Sequence, residues 1–148
     1  MNLPIDCILD EKAAKVHTAA PDEIVVAAVR LMNAASIGAL PVLENGRLVG
    51  IFTERDVLVR IIDAKRDPTS IRVREVMTPD PICISRTATV VDAMLLVTEN
   101  HCRHLPVVEG NRLVGLISVG DLIRWAVRDK DDRLDSMLRA MRVIASEN

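Results

Sequence analysis

Residues 38–58, GALPVLENGRLVGIFTERDVL, return almost unchanged 65 positions later, at 103–123, as RHLPVVEGNRLVGLISVGDLI. A gapless alignment of residue n with n + 65 from Ser36 to Leu58 gives nine identities in 23 positions. Most of the other pairs exchange one apolar residue for another, as Ile51 with Leu116. The register extends upstream, where Val25, Ala28, Val29 and Met32 align with Val90, Ala93, Met94 and Val97. Both sets have the i, i+3, i+4, i+7 spacing of an amphipathic helix. Neither half of a 148-residue chain can bury both faces of its own small sheet. The two copies are therefore expected to pack into one globule about a pseudo-twofold axis.

Within each copy the order of elements follows from local chemistry. The helix has a start signal, Pro21-Asp22-Glu23 in the first repeat and Thr87 or Thr89 in the second. Two apolar runs follow, Leu40 to Leu43 and Leu48 to Phe52, split by Asn45-Gly46; their counterparts are Leu105 to Val108 and Leu113 to Ile117, split by Gly110-Asn111. Asn and Gly tolerate the positive φ of a primed turn, so each pair of runs predicts a β-hairpin. Thr53-Glu54-Arg55-Asp56 and Ser118-Val119-Gly120-Asp121 then open a second helix, and short strands are expected near Val16 to Ala19 and Ile82 to Ile84. The fold class is α/β, two β-α-β-β-α repeats packed through their small sheets, plus a C-terminal helix. The divisions fall at 1–66, 67–128 and 129–148, with the charged, proline-containing DAKRDPTSIR at 63–72 as the connection. In the tail, Leu134, Leu138, Met141 and Ala145 lie near one helical face.

Composition narrows the functional classes. With one Phe, one Trp and no Tyr there is no base-stacking surface, and 19 basic against 21 acidic residues give a net charge of -2 and no field for a polyanion. DNA is not expected as a partner. The N-terminal MNLPIDCILDEK carries acids and no long apolar stretch, and no run anywhere approaches the roughly 18 apolar residues of a membrane span. A cytoplasmic protein is expected. Cys7, Cys83 and Cys102 are an odd number without Cys-x-x-Cys spacing, which reads as reduced thiols packing as small hydrophobes. His101-Cys102-Arg103-His104 supplies too few well-spaced ligands for a closed zinc site, so no metal is expected. No phosphate loop, nucleophile elbow or His-Glu-x-x-His is present, and no catalytic residue is assigned.

The candidate binding residues lie at the starts of the second helices. Thr53 and Ser118 sit where free N–H groups and the helix dipole suit a phosphate, and Asp56 and Asp121, three residues on, can accept from ribose hydroxyls. The same Ser/Thr-x-x-Asp spacing describes a capping box, in which hydroxyl and acid satisfy orphan N–H groups. Spacing alone leaves both readings open. Arg55 is placed either to reach a phosphate or along the solvated face of its helix; Arg47 and Arg112, after the turns, and His17 and His101 read as surface residues.

The duplicated LPV, RLVG and Ser/Thr-x-x-Asp elements, with VMTP at residues 76–79 between copies, resemble a pair of CBS domains forming one Bateman module from about Ile5 to Val127. That resemblance implies a cleft between repeats, dimerisation of modules into a disc, and an adenosine-containing ligand of the AMP, ADP, ATP, NAD or S-adenosylmethionine class. It assigns the ribose to Asp56 and Asp121 and places Arg103 and His104 against ligand phosphates, where the first repeat has Gly38 and Ala39. No accompanying catalytic domain and no required cofactor are expected. The expected role is a stand-alone sensor that signals by conformational shift, with a regulated enzyme or transporter acting in trans. The alternative is a scaffolding homodimer with an empty cleft.

Overall fold

The computed structural model describes residues 3–12 and 15–146. The side chains of 133, 134 and 136–146 lie outside the described set, and with them the expected apolar face of Leu134, Leu138, Met141 and Ala145. In the first repeat, helix α2 (Val25–Ala35) leads to strands β1 (Ala39–Glu44) and β2 (Arg47–Thr53) and a single α turn, α3 (Glu54–Asp56), which continues as π-helical turns over Val57–Ile62. In the second, β4 (Ile84–Ser85) and α4 (Val90–Glu99) lead to β5 (His104–Glu109), β6 (Arg112–Ser118) and the long α5 (Val119–Ser146). Helix α1 (Asp6–Lys12) precedes the first repeat, and a 3-10 turn (Val73–Glu75) with β3 (Thr78–Pro79) stands between the two. The strands form two three-stranded sheets, β1-β2-β3 and β4-β5-β6.

The pseudo-symmetry reaches the backbone. Both hairpins carry a bulge at the same place, after Val42 and after Val107. Asn45 and Gly46 both adopt positive φ, 50° and 77°, whereas in the second hairpin it is Gly110, at 61°. The expected strand near Val16 to Ala19 contracts to one parallel bridge, Ala19 with Val42. Pro21 lies just beyond and has no N–H to extend the ladder. Its counterpart is shifted rather than lost: Ile84 and Ser85 pair with Val107 and Val108, while Ile82, its side chain exposed, stays outside.

Helix starts are handled differently. Thr89, rather than Thr87, caps α4 through a reciprocal box with Asp92 (Asp92 N to Thr89 Oγ1 3.1 Å, Thr89 N to Asp92 Oδ2 2.9 Å). Helix α2 begins at Val25 without any side-chain cap, beyond the Pro21-Asp22-Glu23 signal. Its first N–H groups go to the connection between repeats, Val25 N to Ile71 O at 3.0 Å and Val26 N to Pro68 O at 3.1 Å. A carbonyl from elsewhere satisfies an orphan donor as well as a side chain does.

Packing therefore crosses the boundaries drawn from the repeat alignment. Ile71, Val73 and Val76, at the start of the second division, are buried in the first core with Val25, Leu40 and Phe52. Ile5 and Ile8, at the start of the first division, are buried in the second core with Val90, Leu105 and Ile117. The exchange is regular: Val90 donates to Leu3 O at 2.9 Å as Val25 donates to Ile71 O. Met77 covers Gly50 as Leu9 covers Gly115, each so closely that an added Cβ would come within 2.5 Å. Each repeat is completed by the segment that leads into the other. Among the described residues no helix is long and apolar enough to cross a membrane.

Candidate functional site

The repeats meet through β2 and β6, and cavities open between residues of the two repeats. The larger, of about 580 Å3, is bordered by Ser36, Ile37, Gly38 and Glu54 from the first repeat and Arg103, His104, Ser118 and Gly120 from the second. The smaller, of about 240 Å3, is lined by His17, Ile37 and Ala39, by Gly115 and Leu116 of β6, and by Leu9 and Lys12 of α1. Ile37 borders both.

Local backbone geometry aims these residues. Ser36 and its counterpart His101 both adopt φ of 52°, a left-handed turn that ends the first helix of each repeat and redirects the chain into β1 or β5. Gly38 and Arg103 are then fixed by twin hydrogen bonds, Glu54 N to Gly38 O and Val119 N to Arg103 O, each 3.0 Å. Gly38 and Arg103 are thus pseudo-equivalent in position and opposite in character. An added Cβ on Gly38 would stand 3.0 Å from the Glu54 carboxylate, so the acid covers the place where the second repeat carries its arginine side chain. The run His101-Cys102-Arg103-His104 splays apart: His101 is exposed, Cys102 packs on the second core, and Arg103 and His104 border the large cavity. Burial pushes the His104 imidazole below its ordinary 6.5, and Arg103 adds to the effect, which keeps the ring neutral at pH 7. Burial pushes the Cys83 and Cys102 thiols up, as expected of packed rather than reactive cysteines.

Thr53-Asp56 and Ser118-Asp121 both form the reciprocal cap. Thr53 N and Oγ1 donate to Asp56 Oδ2 at 2.8 and 3.0 Å, and Asp56 N returns to Thr53 Oγ1 at 3.4 Å. Ser118 N and Oγ donate to Asp121 Oδ2 at 2.8 and 3.0 Å, with Asp121 N to Ser118 Oγ at 3.2 Å. Asp56 and Asp121 are 6% and 7% exposed. Asp121 has further partners: Lys12 Nζ at 2.7 Å on Oδ2 and Arg124 Nη2 at 2.6 Å on Oδ1. Burial alone would raise its carboxyl, but the Lys12 ammonium and the Ser118 donors outweigh that and hold it below the ordinary value.

Of the residues singled out in the sequence, Arg103, His104 and Ser118 come together on the large cavity, whereas Thr53, Arg55, Asp56 and Asp121 are not among its lining residues. Arg55 is exposed. Sequence reasoning missed Lys12 and Glu54. Lys12 has no local signal, since nothing nearby tells that α1 packs on the opposite repeat; Glu54 lies between Thr53 and Arg55, but its place over Gly38 depends on where β1 and α3 meet. His17, read as a surface residue, is exposed and also borders the smaller cavity.

Comparison with known proteins agrees with this architecture. The family model for the CBS domain matches twice, at residues 12–63 and 73–128. Among curated relatives, the mitochondrial CBS domain-containing protein CBSX3 of Arabidopsis thaliana is 36% identical over 121 residues, which cover 78% of this chain and 59% of that protein. The chain thus spans somewhat over half the length of that relative. Among solved structures, the CBS domain of NE2398 superposes with a TM-score of 0.80 at 37% identity, covering 84% of this chain and 98% of that one. CBSX2 in complex with AMP superposes with a TM-score of 0.67 at 28% identity, covering 78% of this chain and 90% of that one. Two matched repeats, two sheets meeting at a cleft and a fold shared over most of the chain identify it as a member of the CBS-domain family, a tandem CBS pair of the kind that serves as a regulatory module.

Proposed function

We propose that this module binds one adenosine-containing ligand per chain in the cleft and passes the resulting conformational shift to a partner, an enzyme or transporter acting in trans. The observation that carries this reading is the large cavity, in which Arg103, His104 and Ser118 converge at the N-terminus of α5. Its volume lies within the roughly 300–1,000 Å3 common for small-molecule sites. A helix N-terminus favours an anion, and an arginine fork beside it gives charge-assisted bonds to phosphate oxygens. The AMP complex of the similar CBSX2 supports an adenine nucleotide as the ligand class. Arg103 contacts the phosphate; Asp121, buried behind Ser118 and outside the cavity's lining, contacts the ribose. Because Gly38 and Ala39 replace Arg103 and His104 in the first repeat, one site dominates.

The module is proposed to work as a homodimer. Leu58 and Ile62 in the first repeat and their counterparts Ile123 and Val127 in the second are 63%, 63%, 56% and 54% exposed, two matched apolar stripes on the second helices. An isologous pairing of these stripes would cover them. Sedimentation of a monomer at high micromolar concentration would refute the dimer.

Calorimetry and thermal unfolding with millimolar AMP, ATP, NAD or S-adenosylmethionine test the binding. At a hundredfold excess over Kd, a ligand specific for the native state adds about 2.7 kcal/mol of stability. Arg103→Ala is expected to weaken AMP at least about tenfold, since a bond to a charged group contributes roughly 1.5–3 kcal/mol, and to leave phosphate-free adenosine little affected. No stabilisation by any of the four ligands would leave the scaffolding dimer standing instead.

A further inference from the structure

We propose that Lys12 is a built-in competitor for the Asp121 carboxylate, so that a ligand reaching this carboxylate displaces the ammonium and frees the last turn of α1. The inference rests on the adenosine reading of the cleft. An ionised carboxylate offers about four lone-pair sites. Those of Asp121 meet four donors: Ser118 N, Ser118 Oγ and Lys12 Nζ on Oδ2, and Arg124 Nη2 on Oδ1. Asp56, its counterpart, has the Thr53 donors on Oδ2 and only a loose approach of Arg60 Nε, 3.6 Å from Oδ1. A pair of ribose hydroxyls therefore finds an open position on Oδ1 but none on Oδ2, where one of the three donors has to be replaced.

Lys12 is the donor placed to leave. The Ser118 groups cap α5 and Arg124 lies on its next turn, whereas Lys12 comes from the far end of a seven-residue helix. Its ammonium makes a second bond, to Leu116 O at 2.9 Å, and its side chain lines the smaller cavity. The anchoring of α1 is lopsided. Ile5 and Ile8 hold its first turn in the second core, while Lys12 and the exposed Glu11–Arg128 pair, at 2.7 Å, hold its end. Exposed ion pairs contribute little. Loss of the Asp121 contact thus leaves the Leu9–Lys12 turn held by Leu9 against Gly115 and by exposed polar contacts, Lys12 to Leu116 O and Glu11 to Arg128, a low-cost local opening of the kind that couples binding to motion.

The test uses the full chain and its Lys12→Met variant, with AMP binding measured by calorimetry and amide exchange followed over residues 5–12. If the contact is closed in about nine molecules of ten, its removal tightens AMP binding about tenfold. The direction is diagnostic, because removing a positive charge by itself weakens binding of an anion. Lys15→Met, which deletes the same charge at the same cavity, is expected to weaken AMP, and AMP is expected to speed exchange at the end of α1 in the native chain. AMP bound by the native chain with equal or lower affinity in Lys12→Met, and with α1 exchange unchanged, would refute the competitor and leave the adenosine reading intact. Failure of both chains to take up AMP or the other adenosine ligands would remove the reading itself, and the competitor with it. Uptake by the variant alone would support the competitor directly.

Discussion

The two sheets end differently beyond their second hairpin strands. In the first, β2 is continued by β3, with Gly50 opposite Pro79 and Ile51 opposite Thr78, so that the edge is backbone paired with backbone. In the second, the leader segment that occupies the corresponding place is helical, and Leu116, the counterpart of Ile51, gives its carbonyl to the Lys12 side chain. Both leaders bury an apolar anchor and both press a side chain on a glycine. Beyond that glycine contact they diverge: Thr78-Pro79 cannot be helical without strain, since the residue before proline is driven to extended backbone, whereas Asp10-Glu11-Lys12 extends a helix readily. One repeat has a fixed edge. The other has an edge stopped by a movable amine.

The largest effect that tests this comparison is loss of the leader's anchor in the second repeat. Ile5 is fully buried there, so Ile5→Ala is expected to cost about 2–5 kcal/mol by lost burial and cavity formation. Amide exchange should rise in β4, β5 and β6 before it rises in β1 and β2. Equal loosening of both sheets would mean that the two cores are one cooperative unit and that the exchange of leaders has no energetic consequence.

The glycines sharpen the contrast at smaller amplitude. An added Cβ at Gly50 would meet Met77 Sδ at 2.5 Å and the backbone carbonyl of Thr78 at 3.0 Å, and β3 cannot withdraw without breaking its ladder. At Gly115 the contacts are the terminal carbons of Leu9, at 2.5 and 3.1 Å, which can rotate away. Gly50→Ala is expected to cost about 1–3 kcal/mol, as overpacking does, and Gly115→Ala less. Chemical denaturation of the two variants measures the difference. A costlier Gly115→Ala would show that α1 is clamped as firmly as β3.

Much of this fold is legible in the sequence because the repeat writes it twice. Apolar periodicity, Asn-Gly and Gly-Asn turns and the hydroxyl-x-x-acid helix starts are local signals, each carried by a few neighbouring residues. The misplacements have one local cause, Pro21 beside the shortened first strand, and otherwise non-local ones. The strand near Val16 to Ala19 shrinks to a bridge, and the start of α2 moves to Val25 because carbonyls of Ile71 and Pro68, more than 40 residues away, cap it. The exchange of leaders is invisible for the same reason, and with it Lys12. At the cleft, Arg103 stands out by its difference from Gly38; Glu54, which fills the space over Gly38, does not, since its role depends on where β1 and α3 meet.

The smallest expected effect isolates the second repeat by pH. His104 borders the large cavity, and its counterpart Ala39 is buried and cannot titrate. Burial and then Arg103 depress the folded imidazole below 6.5, so between that folded value and 6.5 the unfolded chain binds the proton that the native chain refuses. Stability is therefore present in full above pH 6.5 and falls as the pH is lowered through the unfolded value, levelling off below the folded one. The slope for one group is at most about 1.4 kcal/mol per pH unit, and partial exposure of the ring makes it shallower. His104→Gln should flatten this part of the pH–stability curve while leaving the acid limb, where carboxylates such as Asp121 lose their donors, in place. A bound phosphate beside the ring favours the imidazolium instead, so AMP binding near pH 6 should take up protons, measurable as a dependence of the calorimetric heat on the buffer. An unchanged curve in His104→Gln, or no proton uptake with AMP, would place the imidazole outside the field of the cavity and reduce the contrast between His104 and Ala39 to one of packing.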